Sequence, residues 1–410
     1  MSVNNVSINE SIKPIKIAST NIELQESLLQ QAKLWRKQLH SQPELGFKEF
    51  KTSAFIVEKL ISFGIEVHQG LGGTGVVGTL KNGEGPTIGI RADIDALPIE
   101  EQGDIEHKST HANCMHACGH DGHTSILLGT AKYLSQHKNF SGTVHFIFQP
   151  AEEVLGGAKV MIEDGLFDLF PMDAVYGLHN WPGLPVGQIA VNDGPMMASF
   201  DIFEITLTGV GTHAAMPHLG ADPIAAAGAL ITNIQSIISR RISPLQSGVV
   251  SVTQMNSGDT TNVIPDYAIL KGTVRSFDMA IRQNMQDMLT EMVKTLPLLY
   301  GVKGEIDYQV CYPVTSNDSQ AYLNVKQAAT EVLGANNVNI NVEPSMASED
   351  FSFMSQHVKG AYFWLGVDGA TPSKPLHNAA YDFNDAAIET GIKVWVSLVE
   401  SQLPKKPDSK

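Results

Sequence analysis

Thr87-Ile88-Gly89-Ile90-Arg91-Ala92-Asp93-Ile94-Asp95 is apolar at nearly every one of its first six positions and then turns acidic. A half-exposed strand alternates; a short, nearly continuous apolar run describes a strand buried on both faces, as in parallel sheets covered by helices. Period-2 geometry puts the Asp93 and Asp95 carboxylates on one side of the strand end. Two more runs repeat the pattern. Thr143 to Phe148 leads into Gln149-Pro150-Ala151-Glu152-Glu153, and Ala174 to Leu178 leads into His179. Three strands thus hand polar side chains to their C-terminal ends, the edge where open α/β sheets keep their ligand crevice.

Between the first two runs stands Met115-His116-Ala117-Cys118-Gly119-His120-Asp121-Gly122-His123, the densest set of metal-ligand atoms in the chain. Cys118 and His120, one residue apart, suit a borderline-soft divalent ion such as Zn²⁺. Taken alone, the stretch also fits a solvated histidine-rich loop. Cys114, Cys118 and Cys311 are the three cysteines, and with no second Cys-x-x-Cys a structural zinc finger is disfavoured. After Gly122, Ile126, Leu127, Ala131 and Leu134 recur at helical spacing, and a helix start is expected to lower a nearby thiol pKa.

Upstream, Leu28, Leu29, Ala32, Trp35 and Leu39 predict a helix with Asn21 as N-cap. A second helix is expected from near Lys48 to Gly64, with Ala54, Val57, Leu60 and Ile61 on its apolar side. Near Met196 the rhythm changes. Strand Phe200–Thr208, helix Ile224–Arg240, strands Gly248–Met255 and Tyr267–Ser276, helix Met279–Leu299 and strand Lys303–Val310 follow in the order of a split βαβ, ferredoxin-like layer. The reading is therefore α/β: a discontinuous metal-binding domain over 1–195 and 311–410, interrupted by an inserted α+β domain over 196–310. Residues 311–410 add a helix from Tyr322, a loop at Ser348-Glu349-Asp350-Phe351, a strand from Ala361, a loop with His377 and a closing helix from Asp385.

Composition bounds the partners. At 410 residues two or three domains are expected, and 43% apolar with 17% charged residues describes a globular protein. A formal net charge of −15 argues against nucleic acid or an anionic membrane as main partner. No run approaches the ~18 apolar residues of a membrane span. Three cysteines without an N-terminal apolar signal region predict a cytoplasmic protein with no disulfide framework. Residues 1–20 and the tail from Pro404 are expected to fray.

Each strand-end residue has a bland reading: Glu152-Glu153 as a solvated helix start, His179 as a hydrogen-bonded core histidine. Together, Cys118, His120, Glu153, His179 and His377 supply soft and hard donors from four segments, enough for two divalent ions sharing a ligand. Glu152 is then spare. A carboxylate beside an activated water can take its proton and return it to a leaving nitrogen.

These residues, with Pro43-Glu44-Leu45-Gly46, Arg91 to Pro98, Gly211-Thr212-His213-Ala214-Ala215, Asn262-Val263-Ile264-Pro265, Gly272-Thr273-Val274-Arg275 and Leu376-His377-Asn378, run in order over nearly the whole chain. In that order the chain resembles the M20 family of metallopeptidases and amidohydrolases, in particular its N-acyl-amino-acid hydrolases. The resemblance implies a mixed-sheet, aminopeptidase-like catalytic domain carrying the inserted domain. It puts Cys118, His120, Glu153, His179 and His377 on the metal ligands, Glu152 on the general base and acid, and Asp95 on an acid that orients the ligands. Other branches have a histidine ligand two residues before that aspartate; this chain has Asp93, held outside the ligand set.

His213 falls on a histidine of the inserted domain that, in related dimers, reaches an active site to polarise the scissile carbonyl; otherwise it is a hairpin histidine packed on Met216 and Pro217. Asn262 and Arg275 fall on groups that grip the substrate α-carboxylate. The implied activity is hydrolysis of N-acyl-L-amino acids in a homodimer or homotetramer built through the inserted domain. Zn²⁺ fits the donors first, with Mn²⁺, Co²⁺ and Ni²⁺ as alternatives. A dipeptidase and an N-acetyl-diaminopimelate deacetylase share the chemistry, and a catalytically silent metal-binding module is the rival from another class.

Overall fold

The computed structural model describes residues 22–154 and 156–405. Asn21, residues 1–20 and all of the C-terminal tail expected to fray except Pro404 and Lys405 lie outside the described residues. The Thr87–Asp93 strand is buried from Ile88 onward and runs parallel to Gly142–Gln149 on one side and Ala174–Pro185 on the other. Lys359–Asp368 adds a further parallel strand. Glu66–Leu71 and Gly75–Asn82 close one edge antiparallel, and short strands Ile189–Ala190 and Val338–Asn339 close the other, giving a mixed sheet of eight.

Alternation feeds two cores. Phe146, Phe148, Tyr176, Leu178 and Phe363 join one cluster with helices Glu26–Ser41, His120–His137, Ser319–Leu333 and Ala387–Gln402; Ile147, Val175, Tyr362 and Trp364 face the other, with Met161 and Phe351. Helices on both sheet faces explain why these strands read as continuous apolar runs. The second sheet orders as Gly248–Asn256, Tyr267–Ser276, Phe200–Thr208, Lys303–Tyr312, antiparallel throughout, which is the ferredoxin-like arrangement expected. Helices Pro223–Ser236 and Met279–Thr295 cover one face. Asp222 and Asp278 cap them by accepting from the second and third helical amides.

Three local readings change. The strand expected to stop before His179 continues to Pro185, because Lys359–Asp368 pairs with it through His179 and Trp181. Helix Phe50–Ser62 buries Thr52, Ser53, Ile56 and Leu60, not Ala54 and Ile61; Leu60 packs against the sheet where Gly78 leaves room, and Glu44 anchors Thr52 from the other end. The helix of the second layer ends at Ser236 in a π turn, Ile237–Arg241.

Helix His120–His137 begins after Gly119, whose φ of 90° lies in the left-handed region. A Cβ there would stand 2.2 Å from the Asn180 side chain. Gly119→Ala is expected to lower the unfolding free energy by about 2–4 kcal/mol, combining backbone strain with overpacking. Exposed Gly228, in a helix interior with nothing within 4 Å of its would-be Cβ, should instead gain up to about 1 kcal/mol as Ala. Denaturant unfolding of both variants checks the pair, and equal effects would contradict it.

Candidate metal centre

A cavity of about 280 Å³ opens above the C-terminal ends of the parallel strands. Cys118, Glu152, Glu153, His179 and His377 form one wall, and Arg275 and Phe200 reach it from the second sheet. Trp181, Met197 and Leu376 supply apolar surface.

The His120 and His179 imidazoles are each fixed by the ring nitrogen turned away from the candidate site. His120 Nδ1 lies 2.9 Å from the Asp95 carbonyl and 3.1 Å from Asp95 Oδ1, leaving its buried Nε2 without a partner. His179 Nδ1 donates to the Asn180 carbonyl at 2.7 Å, which aims Nε2 at Cys118 Sγ, 3.4 Å away. Donating Nδ1–H in this way leaves Nε2 as the lone-pair atom a metal requires. Asp95 also accepts the Glu153 amide at 2.9 Å, so one carboxylate orients two donors. His377, a non-glycine residue at φ 63°, is held by its amide on the Ala117 carbonyl and brings Nε2 to 3.2 Å from Glu153 Oε1. That pair lacks hydrogen-bond alignment, since Glu153 Oε1 is buried without a partner. The backbone strain at His377 is of the kind functional sites retain.

Cys118, Glu153 and His377 present ligand atoms within 4.8 Å of one another, as do His120, Glu152 and Glu153. A further group, Asp93, His120, His123 and His179, meets the same distance. Two of its members are already engaged. Asp93 accepts from Arg91 Nη1 at 2.9 Å and from His123 Nδ1 at 2.5 Å, and His123 Nε2 accepts the Asn180 amide at 2.9 Å. Of the remaining candidates, His120 Nε2 and Glu153 Oε1 are buried without a hydrogen-bond partner, and His179 Nε2 and Cys118 Sγ meet each other at 3.4 Å. Buried ligand atoms of this mixed type fit a pair of divalent cations.

The electrostatics agree. Burial, then Glu153, Glu152 and Asp93, pushes the Cys118 thiol well above its ordinary range, opposite to the lowering expected from the helix start. Burial and then Glu349, Glu153, Asp350 and Asp95 push Glu152 up as well. Burial would raise Glu153 too, but His377 and His120 outweigh it and hold that carboxyl low. A thiol that ionises only against such a field calls for cations to balance it.

Behind the site lies a second buried network. His40 Nδ1 sits 2.8 Å from Asp121 Oδ2 and Nε2 3.2 Å from Glu101 Oε1; Arg36 meets Asp382, Asp385 and His107. Burial lowers His40, but Asp121 and Glu101 prevail and lift it to about 9.

Four of the five expected metal donors, with Glu152 and Arg275, line this cavity; the fifth, His120, is buried just behind it with a ring nitrogen within 4.8 Å of Glu152 and Glu153, and Asp95 stands behind His120. His213 and Asn262 do not. They share the ribbon Thr212–His213/Val263–Ile264, where the Ala214 amide donates to the Asn262 carbonyl at 3.0 Å, and His213 is exposed with Nδ1 accepting the Ala215 amide. The residues given no role in the sequence reading are Arg91, His123, Glu349 and Tyr312. His123 was legible in principle, being one helical turn from His120; the others act through contacts between distant segments.

Fold and donor set together define a hydrolase of metallopeptidase type. Residues 89–401 match peptidase family M20/M25/M40, and the chain belongs to that family. It is 43% identical over 364 residues to the hippurate hydrolase of Campylobacter jejuni, covering 88% of this chain and 94% of the relative. It is 40% identical over 366 residues to an N-acetylcysteine deacetylase of Bacillus subtilis, covering 88% and 94%. The solved structure of the Bacillus subtilis YXEP protein, described as a dinuclear metal-binding peptidase of the M20 family, matches with a TM-score of 0.81 and 34% identity over 92% of this chain and 99% of that one.

Two outcomes are expected. Adding Zn²⁺ or Mn²⁺ to chelator-treated protein should raise the thermal midpoint and release protons, and Cys118→Ala should weaken both effects; a midpoint indifferent to metal would remove these donors from consideration. A histidine raised from 6.5 to about 9 on folding contributes stability that is complete below pH 6.5 and lost as pH rises through 9, at most about 3 kcal/mol. Denaturant titrations at pH 6 and pH 10 should show that loss in the parent and a shallower one in His40→Asn.

Proposed function

We infer that this protein hydrolyses the amide bond of N-acyl-L-amino acids, of the hippurate or N-acetyl kind, to a carboxylic acid and a free amino acid. The observation that carries the reading is Glu152: a buried carboxylate beside the donor set, facing the same cavity as Arg275. The activities named for the hippurate hydrolase and the N-acetylcysteine deacetylase support it.

Cys118, His120, Glu153, His179 and His377 would hold two divalent ions, with Zn²⁺ first and Mn²⁺, Co²⁺ or Ni²⁺ as alternatives. When bound, the ions polarise the substrate carbonyl and acidify the attacking water. Glu152 takes the proton of that water and returns it to the amide nitrogen as the C–N bond breaks. Asp95 keeps His120 and the Glu153 peptide in register. Arg275 grips the α-carboxylate. Its two bonds, to Ser348 Oγ at 2.7 Å and the Met346 carbonyl at 3.3 Å, both use Nη1, leaving other guanidinium donors for a bidentate contact.

His213, as an N–H donor to the developing oxyanion, and Asn262, on the carboxylate, are assigned to a second copy of the chain, since both sit away from their own cavity. The segment 196–310 would then be both lid and assembly domain of a homodimer or homotetramer, and 1–195 with 311–410 the catalytic domain. Free cysteines at 114, 118 and 311 support work in a reducing compartment such as the cytoplasm.

A free dipeptide would bring an α-ammonium that needs a carboxylate partner. Glu349 lines the cavity, but Arg91, the Phe351 amide and Tyr362 already occupy its oxygens. That favours N-acylated substrates over dipeptides.

Glu152→Gln should lower kcat on N-benzoyl- or N-acetyl-amino acids by about 10³-fold or more while metal stays bound, a loss typical of removing an essential acid–base group. Activity within tenfold of the parent, or a preference for unblocked dipeptides in a substrate panel, would overturn the reading.

A further inference from the structure

The Glu152 carboxylate is buried, with no hydrogen bond to its side chain among the described residues. It lies within 4.8 Å of carboxylate oxygens of Glu349 and Asp350 and, in a second group, of Glu153 and a ring nitrogen of His120. An acid with no hydrogen bond to its side chain is aimed chiefly by its backbone. Two amides here are tethered from the first layer: Ala151, at φ 54°, donates its amide to Glu49 Oε1 at 2.9 Å, and the Glu153 amide donates to Asp95 Oδ2 at 2.9 Å. The Glu153 N–H shares its peptide plane with the Glu152 carbonyl, so Asp95 holds one edge of that plane, but neither bond touches the carbonyl oxygen on the opposite edge.

Tyr312 does. Its hydroxyl donates to the Glu152 carbonyl oxygen at 2.8 Å. Tyr312 is the last residue of strand Lys303–Tyr312 and pairs with Phe200 beyond a register break at Val310. Phe200 and Phe353 grip its ring edge-on, with centroids 6.1 and 5.9 Å away. The Arg275 guanidinium stacks on the Phe200 ring at 4.2 Å. Two aromatic rings therefore join the group assigned to the substrate carboxylate with the group assigned to the water.

We propose that Tyr312 is a positioning residue for amide hydrolysis: its hydroxyl fixes the peptide that carries Glu152 and ties it to the strand by which the second layer leaves. The inference rests on Glu152 acting as the base. Without the hydroxyl the peptide keeps only its N–H bond to Asp95 and can tilt about that edge, and the carboxylate leaves the line to the water while substrate still binds. An approach geometry lost by about 1 Å costs on the order of 10²-fold in rate.

Tyr312→Phe tests this in the metal-loaded full chain. Expected are a kcat lower by about tenfold or more on an N-acyl amino acid, a KM within about twofold, and unchanged metal content and thermal midpoint, the pattern of a contact needed only for the chemical step. In an E152Q background the same substitution should cost nothing further. Phe353→Leu, which loosens the ring and keeps the hydroxyl, should lose kcat in the same sense by a smaller factor. A Y312F kcat within threefold of the parent, or an undiminished loss in the E152Q background, overturns the proposal. E152Q that keeps its activity sinks the hydrolase reading itself; an inactive E152Q with an indifferent Y312F sinks only the role of Tyr312.

Discussion

Arg91 is the constraint from which the site is built. Its guanidinium, buried in the strand Thr87–Asp93, donates to Gln149, Asp93, Glu349 and Asp350 at 2.7 to 3.0 Å. A buried arginine is tolerated only when its donors are satisfied by well-placed acceptors, and these come from three separate parts of the chain. The consequences spread from there. Asp93, held by Arg91, fixes His123; His123 takes the Asn180 amide; Asn180 follows His179 on the next strand. On the other side Asp350 accepts the Ala158 amide, which secures the helix after Glu153.

One guanidinium cannot balance the acids gathered about it. Asp93, Asp95, Glu152, Glu153, Glu349 and Asp350 lie at the same sheet edge, and the chain responds by raising Glu152, Asp350 and Cys118. A raised pKa favours the protonated form of each group, so protons are what a cation would compete with there. Cations that displace them convert a strained acid cluster into a balanced one, so metal affinity and folding stability draw on one electrostatic deficit. Sites preorganised in this way are destabilising by themselves, a cost that function commonly imposes.

The sheet was legible because a strand buried on both faces leaves an apolar run that nothing else explains, and Ile88 to Ala92 is one. The second layer was legible from its alternation, which survives because one sheet face lacks helices. Cys118 and His120 stood out in the sequence as candidate donors through their chemistry, since soft and hard ligands rarely gather otherwise. Less was visible where the chain's own contacts decide. The apolar side of Phe50–Ser62 came out half right: Leu60 is buried and Val57 packs on the core, but Ala54 and Ile61 are exposed while Thr52, claimed by Glu44 from outside the helix, is buried. The thiol shift came out reversed for a related reason: burial outweighs the helix start, and the carboxylates that add to it, Glu153, Glu152 and Asp93, arrive from beyond or at the ends of two other strands.

His213 and Arg275 make the same point about distance. Both belong to the second layer, and their sequence contexts look alike, short polar stretches at strand ends. Arg275 reaches the metal cavity because its strand ends against the Met346–Ser348 loop, which accepts two hydrogen bonds from it. His213 sits on a ribbon whose pairing with Val263 and Ile264 carries it outward into solvent. A single chain therefore brings Glu152, the candidate donors and Arg275 to one place and leaves the His213 imidazole exposed. The division is imposed by topology: a two-stranded ribbon satisfied by its own backbone bonds has no reason to fold back on the cavity.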